Sequence, residues 1–146
     1  MPPRLGGALA GTEPLFELPL PTPAERSALA RAIAEMEAAG QGPPVATIDL
    51  AIGKLALAFP PVKQSEAAAT ARLALYREAL ADLPADILAE AVAACIRRCR
   101  FFPTVAEIRE SARSPLALRE WQLGRLRMLA WRHDRESQAN MQGDVQ

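Results

Sequence analysis

Two cysteines, a single histidine and an unusual number of arginines carry most of the chemistry this chain has to offer. Cys95 and Cys99 stand four apart on a stretch that reads as helix, which puts both thiols on one face, one turn apart. Two thiols and His133 do not supply the four ligands of a structural zinc site. They read instead as small buried apolar residues in a reducing compartment. Leu5-Gly6-Gly7 and Ile52-Gly53-Lys54 lack the spacing of a phosphate loop, and no Gly-x-Ser-x-Gly elbow is present. Glu107 and Glu110 lie close on one helix, but helix capping already accounts for Glu107. Nothing here assembles a nucleophile, a base and an orienting partner. The expectation is a protein that is not an enzyme, with no cofactor, no metal and no small-molecule substrate.

The arginines form two sets. Arg97, Arg98, Arg100, Arg109 and Arg113 surround an aromatic-proline corner at Phe101-Phe102-Pro103. Forked guanidinium groups there suit an acidic partner or phosphates. The same residues also suit the negative end of a helix, with no partner involved. The second set lies further along, where Trp121, Arg125, Met128, Trp131 and Arg132 share a predicted helix. Trp and Arg are enriched at interface hot spots, although large aromatic rings belong equally well to a core. Two rings well separated along one helix do not make the stacking platform of a single-strand binder. These ten residues are the candidate partner-binding residues.

Charge is distributed to match. The formal net charge is zero, yet residues 1–94 carry seven basic against eleven acidic side chains, and 95–146 carry ten against six. The basic C-terminal half therefore suits an acidic protein or nucleic acid. Half of the residues are hydrophobic, enough for a core, but much of that is alanine, which favours closely packed helices. No apolar run approaches the roughly 20 residues of a membrane helix, and no signal peptide is apparent. A cytoplasmic protein with no membrane partner is expected.

The elements that must position these residues are all helical. Residues 1–21 are rich in Pro and Gly and read as a flexible arm, in which the apolar run from Leu15 to Leu20 could dock on a partner or tuck against the chain's own core. Thr22, Pro23 and Glu25 make a helix start with a capping box, and Gly40 a stop. Helices follow over 47–58, with an apolar stripe at Ile48, Ile52, Leu55 and Phe59, over 65–82, and over 84–100. Pro103 breaks the last of these, and Thr104 with Glu107 caps a short helix over 104–112. Ser114-Pro115 then starts a final helix to about Arg135, weakened by Gly124. The expected fold is an all-α, compact bundle of about five to six helices. A helical domain spans 22–113, a long C-terminal helix 114–136 has an apolar surface wide enough for a partner as well as its own core, and a flexible tail covers 137–146.

Three stretches carry a family resemblance: Tyr76-Arg77-Glu78-Ala79-Leu80-Ala81-Asp82-Leu83-Pro84, Leu88-Ala89-Glu90-Ala91-Val92, and Phe101-Phe102-Pro103-Thr104-Val105-Ala106-Glu107-Ile108. Together, over 48–113, they resemble the loader-and-inhibitor proteins of phage and prophage replicative helicases. The resemblance implies an all-helical N-terminal domain and a C-terminal segment that engages a hexameric ring helicase. The helicase is then held inactive until delivery to an origin-bound replication-initiation protein. The chain departs from the family where Leu116 to Trp131 reads as helix rather than disordered tail, and residues 22–39 lie outside the resemblance. Two alternatives stand beside it. One is a DNA-binding protein using the basic C-terminal half. The other is a protein-binding inhibitor or structural protein of a mobile element.

Overall fold

Residues 22–144 are described by the computed structural model. The arm expected over 1–21, with its Leu15 to Leu20 run, lies outside the described residues. Among the described residues the chain is all-helical, with no strand. Its five helices are α1 (Pro23–Ala39), α2 (Val45–Ala58), α3 (Glu66–Leu80), α4 (Ala85–Arg98) and α5 (Val105–Gly143).

The helix starts are chemically explicit. At α1 the Thr22 amide donates to Glu25 Oε1 at 3.1 Å and the Glu25 amide donates to Thr22 Oγ1 at 3.2 Å, a reciprocal capping box. The same exchange opens α5, where the Glu107 amide donates to Thr104 Oγ1 at 3.1 Å and the Thr104 amide to Glu107 Oε1 at 3.5 Å. Ser65 caps α3 by accepting from the Ala68 amide at 3.1 Å. Pro44 and Pro84 stand at the N-caps of α2 and α4, where a missing N–H costs nothing.

The helices pack into two compact units. One is Ala39–Ala117. Its core joins Ile48, Leu55 and Phe59 of α2, Tyr76 and Leu80 of α3, Ile87, Leu88, Ala91, Val92 and Cys95 of α4, and Ile108 and Ala112 of α5. The buried positions recur at helical spacing, as the stripe at Ile48, Leu55 and Phe59 predicts. Each fully buried Leu or Ile contributes about 1.5–3 kcal/mol. The linker from α1 is held close: a Cβ on Gly42 would collide with the Ala81 carbonyl oxygen. The other unit joins, among the described residues, 22–38 with 118–144. Its core is Leu29 of α1 against Leu126 and Leu129 of α5, with Ala32, Ile33 and Met36 alongside.

Three expectations need correction. The short helix over 104–112 and the final helix from 114 are one element, with Pro115 inside it. Ser114-Pro115 has the local signature of a helix start, but packing of Ile108 and Ala112 before it and of Leu126 and Leu129 after it holds both flanks helical. The last helix continues past Ser137 to Gly143, so the C-terminal tail is shorter than the expected 137–146. Finally, α4 stops at Arg98, with Cys99 in an extended conformation, so Arg100 lies beyond the helix rather than in its last turn.

A proline inside a helix removes one hydrogen bond and crowds the preceding turn. Pro115→Ala is therefore expected to stabilise the protein by about 1–3 kcal/mol and to raise the midpoint of a thermal melt followed by circular dichroism. A lowered midpoint would mean that the ring's own packing outweighs the missing bond.

Candidate partner-binding face

The ten candidate residues fall into the two units. In the unit Ala39–Ala117, Arg97, Arg98 and Arg100 are exposed at the end of α4 and just past it. Beside them Phe101 is 81% exposed, while Phe102 turns inward onto the core. Arg109 has a different role. Its guanidinium makes a two-pronged ion pair with Asp82, at 2.7 and 2.9 Å, and also donates to the Ala79 carbonyl at 2.8 Å. It therefore ties α5 to the end of α3, and the paired guanidinium holds the Asp82 carboxyl below its ordinary range. Arg113 has only a loose contact with Glu110, at 3.9 Å.

The corner beside these arginines is locked from inside. The Tyr76 hydroxyl donates to the Pro103 carbonyl at 2.7 Å, in a buried position. The Phe102 ring meets Phe59 and Tyr76 edge to face, with centroids 6.2 and 5.9 Å apart. The thiols complete the lock. Cys99 Sγ donates to Glu107 Oε2 at 3.1 Å, and Cys95 Sγ lies 3.5 Å from Ser111 Oγ. The bond to Glu107, with burial and Cys95 adding to it, pushes the Cys99 thiol up to about 12. A thiol held protonated in this way is a poor nucleophile and a poor metal ligand. Among the described residues no three His, Cys, Asp or Glu side chains gather where a metal ion could sit.

In the second unit α5 presents two faces. Leu126 and Leu129 are buried against α1, and Ala130 is buried as well. That contact is framed by ion pairs: Arg26 binds Asp134 through two bonds of 2.9 Å, and Arg127 binds Glu37 at 2.6 Å. On the other side of the helix Trp121 is 44% exposed, Met128 48% and Trp131 52%, which removes all three from the core. Leu118, one turn before Trp121, is also exposed. The spacing 121, 128 and 131 keeps these three side chains within about 80° of one another around the helix. Between them a Cβ on Gly124 would meet nothing within 4 Å, so the glycine leaves an open notch between large side chains.

Arginines stack on the rings. Arg125 lies 4.8 Å from the centre of Trp121, and Arg135 lies 5.1 Å from the centre of Trp131. Arg132 is half-buried on the same helix. Of the residues on this exposed side of α5, Trp121, Arg125, Met128 and Trp131 are among the sequence candidates, whereas Leu118, Gly124 and Arg135 are not. The i, i+4 step from Trp131 to Arg135, matching that from Trp121 to Arg125, was the signal available for the last of these. Chemically the face is apolar and aromatic with a cationic border, and no helix among the described residues is long and apolar enough to cross a membrane.

Two measurements test the electrostatics that hold these sites. Arg26, with His133 adding to it, lowers the Asp134 carboxyl to about 2. Its stabilising effect is therefore full above the ordinary Asp range near 4 and is lost as pH falls toward about 2. Urea denaturation of the wild type should show this acid-side loss, and Asp134→Asn should flatten it while lowering stability near neutrality. For the thiol, Glu107→Gln should speed iodoacetamide alkylation of Cys99 at pH 8 by at least about tenfold, read by mass spectrometry; an unchanged rate would assign the protection to burial alone. No protein-family model, curated protein or solved structure matches the chain.

Proposed function

We propose that the protein is a non-enzymatic adaptor that binds a replicative ring helicase, loading or inhibiting it, through the exposed face of α5. The observation that carries the binding surface is the exposure of Trp121, Met128 and Trp131 on the side of α5 opposite its buried Leu126 and Leu129. Aromatic rings kept half in water are costly unless something covers them, and Trp with Arg is the composition that most often carries interface energy. The helicase is named by the resemblance of the corner at Phe101 to Ile108, and by nothing in the geometry of α5 itself. In that reading the corner builds the fold and α5 does the binding. The arginine border favours an acidic surface on the partner, with an origin-bound initiation protein as the second partner.

A pull-down with the purified hexameric helicase of the host tests this. Retention at micromolar concentrations is expected. Trp121→Ala combined with Trp131→Ala should weaken it by at least about tenfold, with an unchanged circular dichroism spectrum. No retention of the wild type at micromolar concentrations rejects the helicase. Equal retention of the double variant rejects the face.

A further inference from the structure

A half-open groove of about 260 Å³ lies in the unit Ala39–Ala117, bounded by α2, α3 and the aromatic corner. Its walls are apolar: Ile52 and Phe59 on one side, Leu73 and Tyr76 on another, with Phe102 beside them. Non-helical residues from Pro60 to Gln64 contribute to its lining. The one charged side chain in the lining is Arg72. It is half-buried, its guanidinium 4.8 Å from the centre of Phe102 and 5.7 Å from that of Tyr76.

Arg72 differs from the ion-paired arginines. Arg26, Arg77, Arg109 and Arg127 each hold a carboxylate. Among the described residues no carboxylate pairs with Arg72. Stacking engages the face of the guanidinium and leaves its in-plane N–H groups as donors. A cation so held beside an apolar recess is complementary to one anion carrying an apolar body.

We infer that this groove binds a segment of a partner protein that presents one large apolar side chain next to a carboxylate. Size favours a peptide anchor: 260 Å³ falls below the roughly 300–1,000 Å³ of sites for drug-sized ligands, yet exceeds the roughly 150 Å³ that takes a benzene ring. The apolar side chain fills the recess between Phe59, Leu73 and Tyr76. The carboxylate accepts from Arg72, in the two-pronged geometry that guanidinium groups favour. This surface lies on a different unit from the α5 face, and the inference does not depend on the helicase reading.

The test is an NMR titration of the full chain with three probes: N-acetyl-Pro-Phe-Glu-amide, the same peptide with Gln in place of Glu, and octanoate. The Glu peptide should shift the ring resonances of Phe59, Tyr76 and Phe102 and bind about five- to tenfold more tightly than the Gln peptide. Arg72→Gln should erase that preference. The peptide comparison on the wild-type protein needs no variant and so survives any folding defect in Arg72→Gln. Equal affinity for the two peptides overturns the inference, as does the absence of shifts at the three rings. Tighter binding of octanoate than of either peptide overturns the partner segment in favour of a free amphiphilic acid.

Discussion

The buried hydrogen bond from the Tyr76 hydroxyl to the Pro103 carbonyl is the constraint on which the unit Ala39–Ala117 turns. Pro103 interrupts the chain between α4 and α5, and a broken chain must satisfy its carbonyls elsewhere. Tyr76 does this from a helix 27 residues away, and leaving either group unpaired would cost about 1–3 kcal/mol. With Pro103 fixed, its two neighbours part company. Phe102 is driven between Phe59 and Tyr76, and Phe101 is left in water. The same rings supply the floor on which Arg72 stacks. Corner and groove are therefore one construction, built by a single bond and the rings around it.

Helix α5 follows a different logic. Its first turns are held by capping and by Ile108 and Ala112, and its later turns by Leu126 and Leu129. Against these contacts the local preference of Ser114-Pro115 to begin a helix is a small effect, so the chain stays helical through it. The outcome is an element with apolar groups on more sides than its own core uses. The surplus appears as Trp121, Met128 and Trp131. A helix that had only to close its own unit would carry polar residues at these positions.

What the sequence made legible follows from range. Capping at Thr22 and Thr104 involves residues three apart, and both boxes formed as their spacing predicts. The buried stripe of α2 is also local, and it too was readable. Roles set by distant partners were not. Arg109 reads in sequence as one more arginine of a basic patch, yet Asp82, 27 residues earlier, fixes it as a tie between helices. Arg77 is paired with Asp49 over a comparable separation. Pro115 shows the reverse failure: a correct local rule overruled by tertiary packing on both sides. Whether Trp121 and Trp131 were core or surface could not be decided from periodicity, because the apolar positions of α5 cover more than one stripe.

Arginine fates then separate structure from recognition. A guanidinium gripped through two N–H groups by a carboxylate has one forked edge engaged and its charge paired, which is the state of Arg26, Arg77 and Arg109. A guanidinium laid over a ring keeps its edges open in that contact, since its N–H groups lie in the plane rather than along the stacking direction. Arg72 over Phe102 and Arg135 over Trp131 are in that second state. Stacking also restricts the side chain before any partner arrives, which lowers the entropy still to be lost on binding. Both lie beside exposed or groove-lining apolar surface, so an approaching acidic group would find its donor already oriented next to the apolar contact. Composition alone counts fifteen equivalent arginines; the contact of each guanidinium, ring or carboxylate, is what distinguishes those that tie helices together from those whose N–H edges no carboxylate among the described residues holds.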